Sequence, residues 1–193
     1  MAELKREYYK NGKLKSEWFE INGKKHGEYK SYHNNGKLMS IVYMINDEKN
    51  GEYKSYHKNG QLLNIVSMIN NKKNGLDISY YDNGQMWSIC NYIDDIKNGE
   101  YKTYHMNGNL HIHYYCINNK YNGEYKYYHE NGQLEMSYNY IDDMKHGEFR
   151  SYYDGQLCEI GNMVNGKMNG EYKSYRMNGE LKEVSYYIDG IKQ

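Results

Sequence analysis

The chain has 193 residues, with 25 Lys or Arg against 25 Asp or Glu, and its mean hydropathy is −1.10. This charge balance provides no long-range positive field, so it argues against nucleic-acid binding and makes recruitment to an anionic membrane a weak alternative. No apolar stretch is long enough for a signal peptide or a membrane span, and the three cysteines lack CxxC spacing. We therefore expect a cytoplasmic protein, or one of the host cytoplasm if it is viral, with reduced thiols.

A glycine recurs every 24 residues along most of the chain. A second glycine series keeps the same period and lies 15 residues after the first. Constant spacing of this kind is typical of repeat architectures, in which one supersecondary unit stacks on the next. We predict a single array of about eight repeats over residues 1–193, without a separate catalytic domain. The repeats are predicted to turn at Gly12, Gly36, Gly60, Gly84, Gly108, Gly132, Gly155 and Gly179.

Each repeat contains two short runs rich in Tyr, Ile and Val that end at Asn, Gly, Asp or Lys. These are signals for strands and hairpins, because a helix would need apolar residues three and four apart with fewer glycines. In the repeat that turns at Gly60, we predict strands over about residues 52–57 and 62–69. Tight turns are predicted at residues 58–60 and at Asn70-Asn71.

One repeat is a residue shorter than its neighbours, because Asp154-Gly155 replaces a three-residue turn. A one-residue slip would move every later side chain to the other face of the sheet. The face is kept only if the ordinary repeats use a type I turn followed by a left-handed glycine, which pairs His57 with Gln61. The same register places Tyr152 opposite Leu157.

This register predicts two columns of side chains on one face, the tyrosines equivalent to Tyr56 and the leucines equivalent to Leu62. The opposite face carries a second aromatic column, which Asp77 interrupts. The 26 tyrosines against two phenylalanines favour a sheet that is wetted on at least one face. The predicted fold class is therefore all-β, an elongated, twisted, single-layer antiparallel sheet of β-hairpin repeats.

The Gly-Glu-Tyr-Lys-Ser-Tyr segment at Gly51 and the Asn-Gly-x-Leu segments resemble MORN repeats of the variant class. The resemblance covers nearly the whole chain, although the common MORN pattern has denser glycines and more tryptophan than the two residues Trp18 and Trp87. It implies a β-hairpin scaffold, sometimes associated with membranes and often dimeric. Similar arrays in the variant class include YwqK-type antitoxins.

Three patterns that suggest chemistry are better explained by structure. Histidines recur once per repeat, as at His33 and His57, but equivalent positions lie two strands apart, near 10 Å, which is too far to share a metal. Glu and Lys pairs such as Glu52/Lys54 repeat identically, as in a solvated face. Acidic turns such as Asp94-Asp95 alternate with Asn-Asn turns, which reflects turn propensity and not calcium binding. We expect no catalytic residue, cofactor or metal.

The remaining hypothesis is a non-enzymatic scaffold for protein–protein interaction, because tyrosine is a preferred contact residue. The alternatives are a YwqK-like antitoxin that neutralises a partner toxin and a peripheral membrane tether that binds phosphoinositides. Any self-association, such as a homodimer, is expected to use the C-terminal edge strand. The candidate interaction surface comprises two sets of residues. The first is the tyrosine column Tyr32, Tyr56, Tyr80, Tyr104, Tyr128 and Tyr152, and the second is the irregular positions Trp87, Asp77, His111 and His113.

Overall fold

A computed structural model describes residues 1–193, and it is all-β, without a helix. Its chain divides into two compact units, residues 1–96 and 97–193, and both are built from the same antiparallel hairpins. None of its elements is a helix able to cross a membrane. The predicted all-β class and the repeated hairpins are confirmed.

The N-terminal unit contains four hairpins in which consecutive strands pair antiparallel, each with the next. Its strands are β1 (Glu3–Tyr8), β2 (Leu14–Ile21), β3 (Lys24–Tyr32), β4 (Leu38–Ile45), β5 (Glu48–Tyr56), β6 (Leu62–Ile69), β7 (Lys72–Tyr80) and β8 (Met86–Ile93).

The C-terminal unit repeats the pattern, but a one-residue break directly before Gly123, Gly147 and Gly170 divides three of its strands into a short and a long piece. Its strands are β9 (Ile96–Tyr104), β10 (Leu110–Ile117), β11 (Lys120–Tyr121), β12 (Gly123–Tyr128), β13 (Leu134–Ile141), β14 (Met144–Lys145), β15 (Gly147–Tyr153), β16 (Gln156–Val164), β17 (Lys167–Met168), β18 (Gly170–Tyr175), β19 (Leu181–Ile188) and β20 (Ile191–Lys192).

The long turn of each hairpin has the predicted geometry. The N–H of Gly60 donates to the carbonyl of His57 at 2.8 Å, and the N–H of His57 donates to the carbonyl of Gln61 at 2.8 Å. Gly60 has a φ of +96°, which is the left-handed conformation that this turn requires. In the shortened repeat, Tyr153 pairs with Gln156 and Tyr152 with Leu157, so the two-residue turn preserves the face as expected.

The predicted boundary of the first strand in each repeat needs correction. Strand β5 begins at Glu48 and not near residue 52, because Glu48 pairs with Ile45 directly after the Asn46-Asp47 turn. Gly51, with a φ of +85°, lies inside the strand at a bulge. The strand therefore continues through Gly51, which bends it in its middle.

Each hairpin also contains a bulge beside the long turn, which the sequence did not reveal. Tyr56 pairs with Leu62 and Ser55 pairs with Asn64, so Leu63 is the extra residue. Trp87 is the extra residue in the next hairpin. Because a bulge re-aims the side chains around it, these two residues do not follow the strict alternation of a strand.

The two faces of each hairpin differ in exposure, and we call the more buried one the inner face. In the N-terminal unit β4 and β6 contribute aliphatic residues to it, since Val42 and Val66 are each 2% exposed and Met44 is also buried. Lysine side chains cover part of this face: the Nζ of Lys25 lies 4.8 Å from the centre of the Tyr29 ring, and the Nζ of Lys49 lies 4.9 Å from that of Tyr53.

The inner face of the C-terminal unit is aromatic. Tyr101 stacks on Tyr114 with ring centres 4.6 Å apart, and Tyr114 stacks on Tyr125 at 5.8 Å. Burial raises the pKa of Tyr125 and of Tyr140 above the ordinary tyrosine value. The same backbone repeat therefore accepts an aliphatic or an aromatic filling.

Gly161 shows how closely this face is packed. A Cβ at this position would lie 2.8 Å from Cε1 of Phe149 and 3.3 Å from Cδ2 of Tyr172. Phe149 pairs with Gly161 across the hairpin and is itself buried. Glycine is needed here to make room for the ring, not for an unusual backbone angle.

We expect Gly161→Ala to destabilise the C-terminal unit by about 1–3 kcal/mol, because the added methyl forces the Phe149 ring to move. Urea denaturation followed by circular dichroism measures this loss. In a Phe149→Leu background the same substitution is expected to cost less, since the branched side chain leaves space near Gly161. Equal losses in both backgrounds would show that the ring is not the obstacle.

Candidate functional site

The tyrosines of the candidate surface pair with the leucine column as predicted, from Tyr32 opposite Leu38 to Tyr152 opposite Leu157. They are half-buried. The hydroxyl of Tyr32 donates to Oε1 of Glu17 at 2.7 Å, and burial, followed by this bond, raises the pKa of Tyr32 to about 12. This column therefore stabilises the hairpins while exposing only part of each ring.

The recurring histidines connect neighbouring repeats. The Nε2 atom of His33 lies 2.9 Å from the carbonyl oxygen of Tyr56, and that of His57 lies 3.0 Å from the carbonyl oxygen of Tyr80. In the first repeat the hydroxyl of Tyr9 replaces the imidazole and donates to the carbonyl of Tyr32 at 2.6 Å. These side chains have a structural role, which explains why tyrosine can replace histidine.

The acidic and amide residues of the two-residue turns perform the same task at the other end of the strands. Oδ1 of Asn71 accepts the N–H of Lys49 at 2.8 Å, and the N–H of Asn71 donates to the carbonyl of Lys49 at 3.0 Å. Asp95 makes the equivalent pair of bonds with Lys73. No group of three or more His, Cys, Asp or Glu side chains in the chain is arranged to hold a metal.

His111 and His113 lie on the same strand but make separate contacts. The ring of His111 is 4.1 Å from that of His105 between centres and 5.0 Å from that of Tyr127. Nε2 of His113 lies 2.8 Å from Oε1 of Glu100. Burial, followed by the proximity of His105, lowers the pKa of His111.

Asp77 is only 8% exposed, on the inner face, at the place where other repeats carry a tyrosine. Its carboxylate accepts a hydrogen bond from the amide of Asn64 and forms an ion pair with Lys73 at 2.5 Å between Nζ and Oδ2. A buried charge is tolerated when it is paired and hydrogen-bonded in this way. The structure thus places Asp77 among packing residues, away from the surface that a partner could touch.

The opposite, outer face carries ion pairs between residues two apart on the same strand. Nζ of Lys102 lies 2.8 Å from Glu100, Nζ of Lys126 lies 2.8 Å from Glu124, and Nη2 of Arg150 lies 2.6 Å from Glu148. The other pairs are Lys30–Glu28, Lys54–Glu52 and Lys173–Glu171. These side chains are between about one third and one half exposed, so water screens the pairs and each contributes little stability.

The outer face of the hairpin that turns at Gly84 differs from this pattern. Leu76 and Ile78 occupy the places of the glutamate and the lysine. Leu76 is 53% exposed, and Ile78 is half-buried. Together with Ile65 on β6 and Ile89 on β8 they form a partly exposed apolar cluster, which we call the outer patch and define as Ile65, Leu76, Ile78 and Ile89.

Strand register holds the centre of the outer patch together. Ile65 on β6 pairs with Ile78 on β7, which pairs with Ile89 on β8. The candidate surface predicted from the sequence does not include the four residues of the outer patch, although it includes Asp77, which lies between Leu76 and Ile78. Trp87, which it also includes, is the bulge residue of this hairpin and is 47% exposed. The available signal was the loss of both members of one Glu/Lys pair.

Repeated antiparallel hairpins joined by side-chain bonds at both ends define a β-hairpin repeat protein. The profile of the MORN repeat variant family matches residues 4–19, 25–46, 49–70, 73–94 and 121–142, which together cover more than half of the chain. The chain therefore belongs to the MORN repeat variant family.

Comparison with other proteins adds little to this assignment. No curated protein matches the sequence. One similar solved structure is described as TcdB2-TccC3-TEV, with 11% identity and a TM-score of 0.25 over 96% of this chain and 13% of that chain. Another is a porin-like protein from Bacteroides uniformis, with 9% identity and a TM-score of 0.22 over 98% of this chain and 91% of that chain.

We expect the stability of the C-terminal unit to fall on acidification, in part because of His111. Its folded pKa is lower than the ordinary value of 6.5, so the unfolded chain takes up the proton first. The stability that neutral His111 contributes is fully present above pH 6.5. It is lost as the pH falls from 6.5 through the pKa of His111 in the folded chain. The test is to measure the urea concentration at the midpoint of unfolding at several pH values between about 7.5 and 5.

The informative variant is His111→Leu, since leucine stands at the equivalent bulge position 63. This variant should show a smaller loss of stability across the same pH range than the wild-type chain. An identical pH dependence in the two proteins would contradict the assignment to His111.

Proposed function

We propose that this protein is a non-enzymatic MORN-repeat scaffold that mediates protein–protein interaction in the cytoplasm. The observation that carries the proposal is the outer patch, which places the exposed Leu76 and half-buried isoleucines where other hairpins carry a charged pair such as Glu52 and Lys54. Apolar clusters rimmed by polar residues mark interaction sites.

The charged residues of the outer face support a role in binding over a role in catalysis. An active site needs a single environment with strongly perturbed groups, whereas the Glu/Lys pairs recur with similar geometry and exposure in successive hairpins. The histidines that recur before the long turns, such as His33 and His57, and turn carboxylates such as Asp95 are already bonded to the backbone. These contacts leave the apolar residues as the distinctive feature of the surface.

The first test is a pull-down from native lysate with the tagged chain, followed by reconstitution of the complex from purified partner. We expect a stoichiometric complex whose affinity falls about tenfold or more in Leu76→Glu, because the substitution introduces a charge into the apolar contact. Ile117→Glu places the same charge at a similarly exposed aliphatic residue outside the outer patch and serves as the matched control.

Two results would replace this proposal with an alternative. A partner enzyme that loses its toxic activity in the complex would specify the scaffold as a YwqK-like antitoxin. Absence of any protein complex, together with cosedimentation on vesicles that contain phosphoinositide, would favour the membrane tether and refute the scaffold.

We also propose that self-association uses strand β19. This strand pairs with β18 along one edge, and at its other edge Tyr187 and Ile188 pair with β20. Val184 is 52% exposed beside the open part of that edge. Sheet edges of this kind can pair with another chain.

We expect size-exclusion chromatography with light scattering to detect a dimer that Val184→Lys converts to monomer, since a charge on an edge strand opposes edge-to-edge pairing. Lys182→Arg, which keeps the charge on the same strand, is the control. A wild-type chain that is monomeric at all accessible concentrations would rule out this mode of association.

A further inference from the structure

We infer that the outer patch binds an amphipathic α-helix that lies across strands β6, β7 and β8 and presents an acidic side chain to Lys54. The inference rests on the proposed function, because it specifies the partner of that scaffold. It follows from the hydrogen bonding of the strands, the spacing of the apolar row and the charge at the end of that row.

The hydrogen bonding of β7 excludes an added strand. Strand β7 pairs with β6 on one side and with β8 on the other, so the backbone beneath the outer patch is already satisfied. The side chains of the patch are aliphatic, and they offer no hydrogen bonds to a second backbone. A segment that packs on this face must satisfy its own N–H and C=O groups, which an α-helix does internally.

The spacing of the central row fits a helix that crosses the strands. Ile65, Ile78 and Ile89 are cross-strand partners in succession. Adjacent strands are about 4.8 Å apart, so the row extends about 10 Å. Helix residues i, i+3 or i+4, and i+7 advance about 5 Å at each step and 10.5 Å in total, so three apolar residues on one helix face can contact the three isoleucines.

A further apolar side chain adds to this row on the same face. Leu76 precedes Ile78 by two residues on β7, so it projects to the same side, and it is 53% exposed. It enlarges the apolar area that a helix of two to three turns can bury.

Charge defines one end of the bound helix. The cross-strand partner of Ile65 on β5 is Lys54, so the row of isoleucines continues into a lysine. Lys54 is paired with Glu52, but an ammonium group has three donors and this one is partly exposed. A carboxylate one helical turn beyond the apolar residues would share the Lys54 ammonium, so the partner helix is expected to carry Asp or Glu at that position.

The repeat itself supplies the best variant for a test. Leu76→Glu/Ile78→Lys restores the pair that stands at the equivalent positions of other repeats, as in Glu52 and Lys54, so the hairpin is expected to fold normally. The matched control is Glu28→Lys/Lys30→Glu, which exchanges two charges on the same face without changing the outer patch. Circular dichroism and urea denaturation verify the folding of both.

The probe is a displayed library of capped peptides of about 16 residues, enough for roughly four helical turns. Selection on the wild-type chain should enrich peptides with apolar residues at i, i+3 or i+4, and i+7 and an acidic residue one turn beyond. Their affinity, measured by fluorescence anisotropy, should fall about tenfold or more in Leu76→Glu/Ile78→Lys and remain unchanged in the control. Lys54→Gln should weaken binding by a few fold and remove the preference for the acidic residue.

The inference is overturned if no peptide is enriched, if the enriched peptides lack this pattern, or if the repeat-restoring variant binds them equally well. Its failure can be separated from failure of the scaffold. A purified native partner that binds the wild-type chain and the Leu76→Glu/Ile78→Lys variant equally would refute the helix and retain the scaffold. Absence of any stoichiometric protein complex would refute the scaffold itself.

Discussion

The structure depends on side chains that hydrogen-bond to the backbone of the neighbouring repeat. At the long turns, imidazole or phenol groups such as His57 contact a tyrosine carbonyl of the next repeat, and at the short turns residues such as Asn71 bond both backbone groups of a lysine in the preceding repeat. Few side chains are fully buried, so burial alone provides little control of strand register. Bonds at both strand ends supply that control, and they explain why polar residues recur with the period of the repeat.

Because register is fixed at the strand ends, the side chains between the ends are free to vary. The inner face of the N-terminal unit is filled by residues such as Val42 and Met44, and that of the C-terminal unit by stacked rings such as Tyr114. Each filling is adjusted locally, as where Gly161 leaves space for Phe149. Stability in such an array comes mainly from contacts between neighbouring repeats, so a local change has local consequences.

Sequence reasoning predicted the turns and the pairing of tyrosine with leucine from the one-residue deletion at Asp154-Gly155. Only one register keeps the later side chains on the same face of the sheet after that deletion. Sequence reasoning placed the start of strand β5 too late, since a positive-φ glycine inside a strand cannot be distinguished by pattern from one in a turn. The sequence also did not predict which side chains near the bulges are exposed, because a bulge breaks the alternation of buried and exposed residues along a strand. Asp77 was included in the candidate surface because it interrupts the aromatic column, whereas the amide of Asn64 and the ammonium of Lys73 allow it to be buried.

The outer patch is best explained by binding because the fold does not require it. Six other hairpins carry glutamate with lysine or arginine where this one has Leu76 and Ile78, and they adopt the same register. Leu76 stands where other repeats carry glutamate, and it remains half exposed. Leucine at this position therefore buries little apolar surface on folding and leaves more apolar surface in contact with water. Residues that folding does not need and solubility disfavours are explained by a contact that covers them. That contact is the physical basis for assigning this surface to a partner.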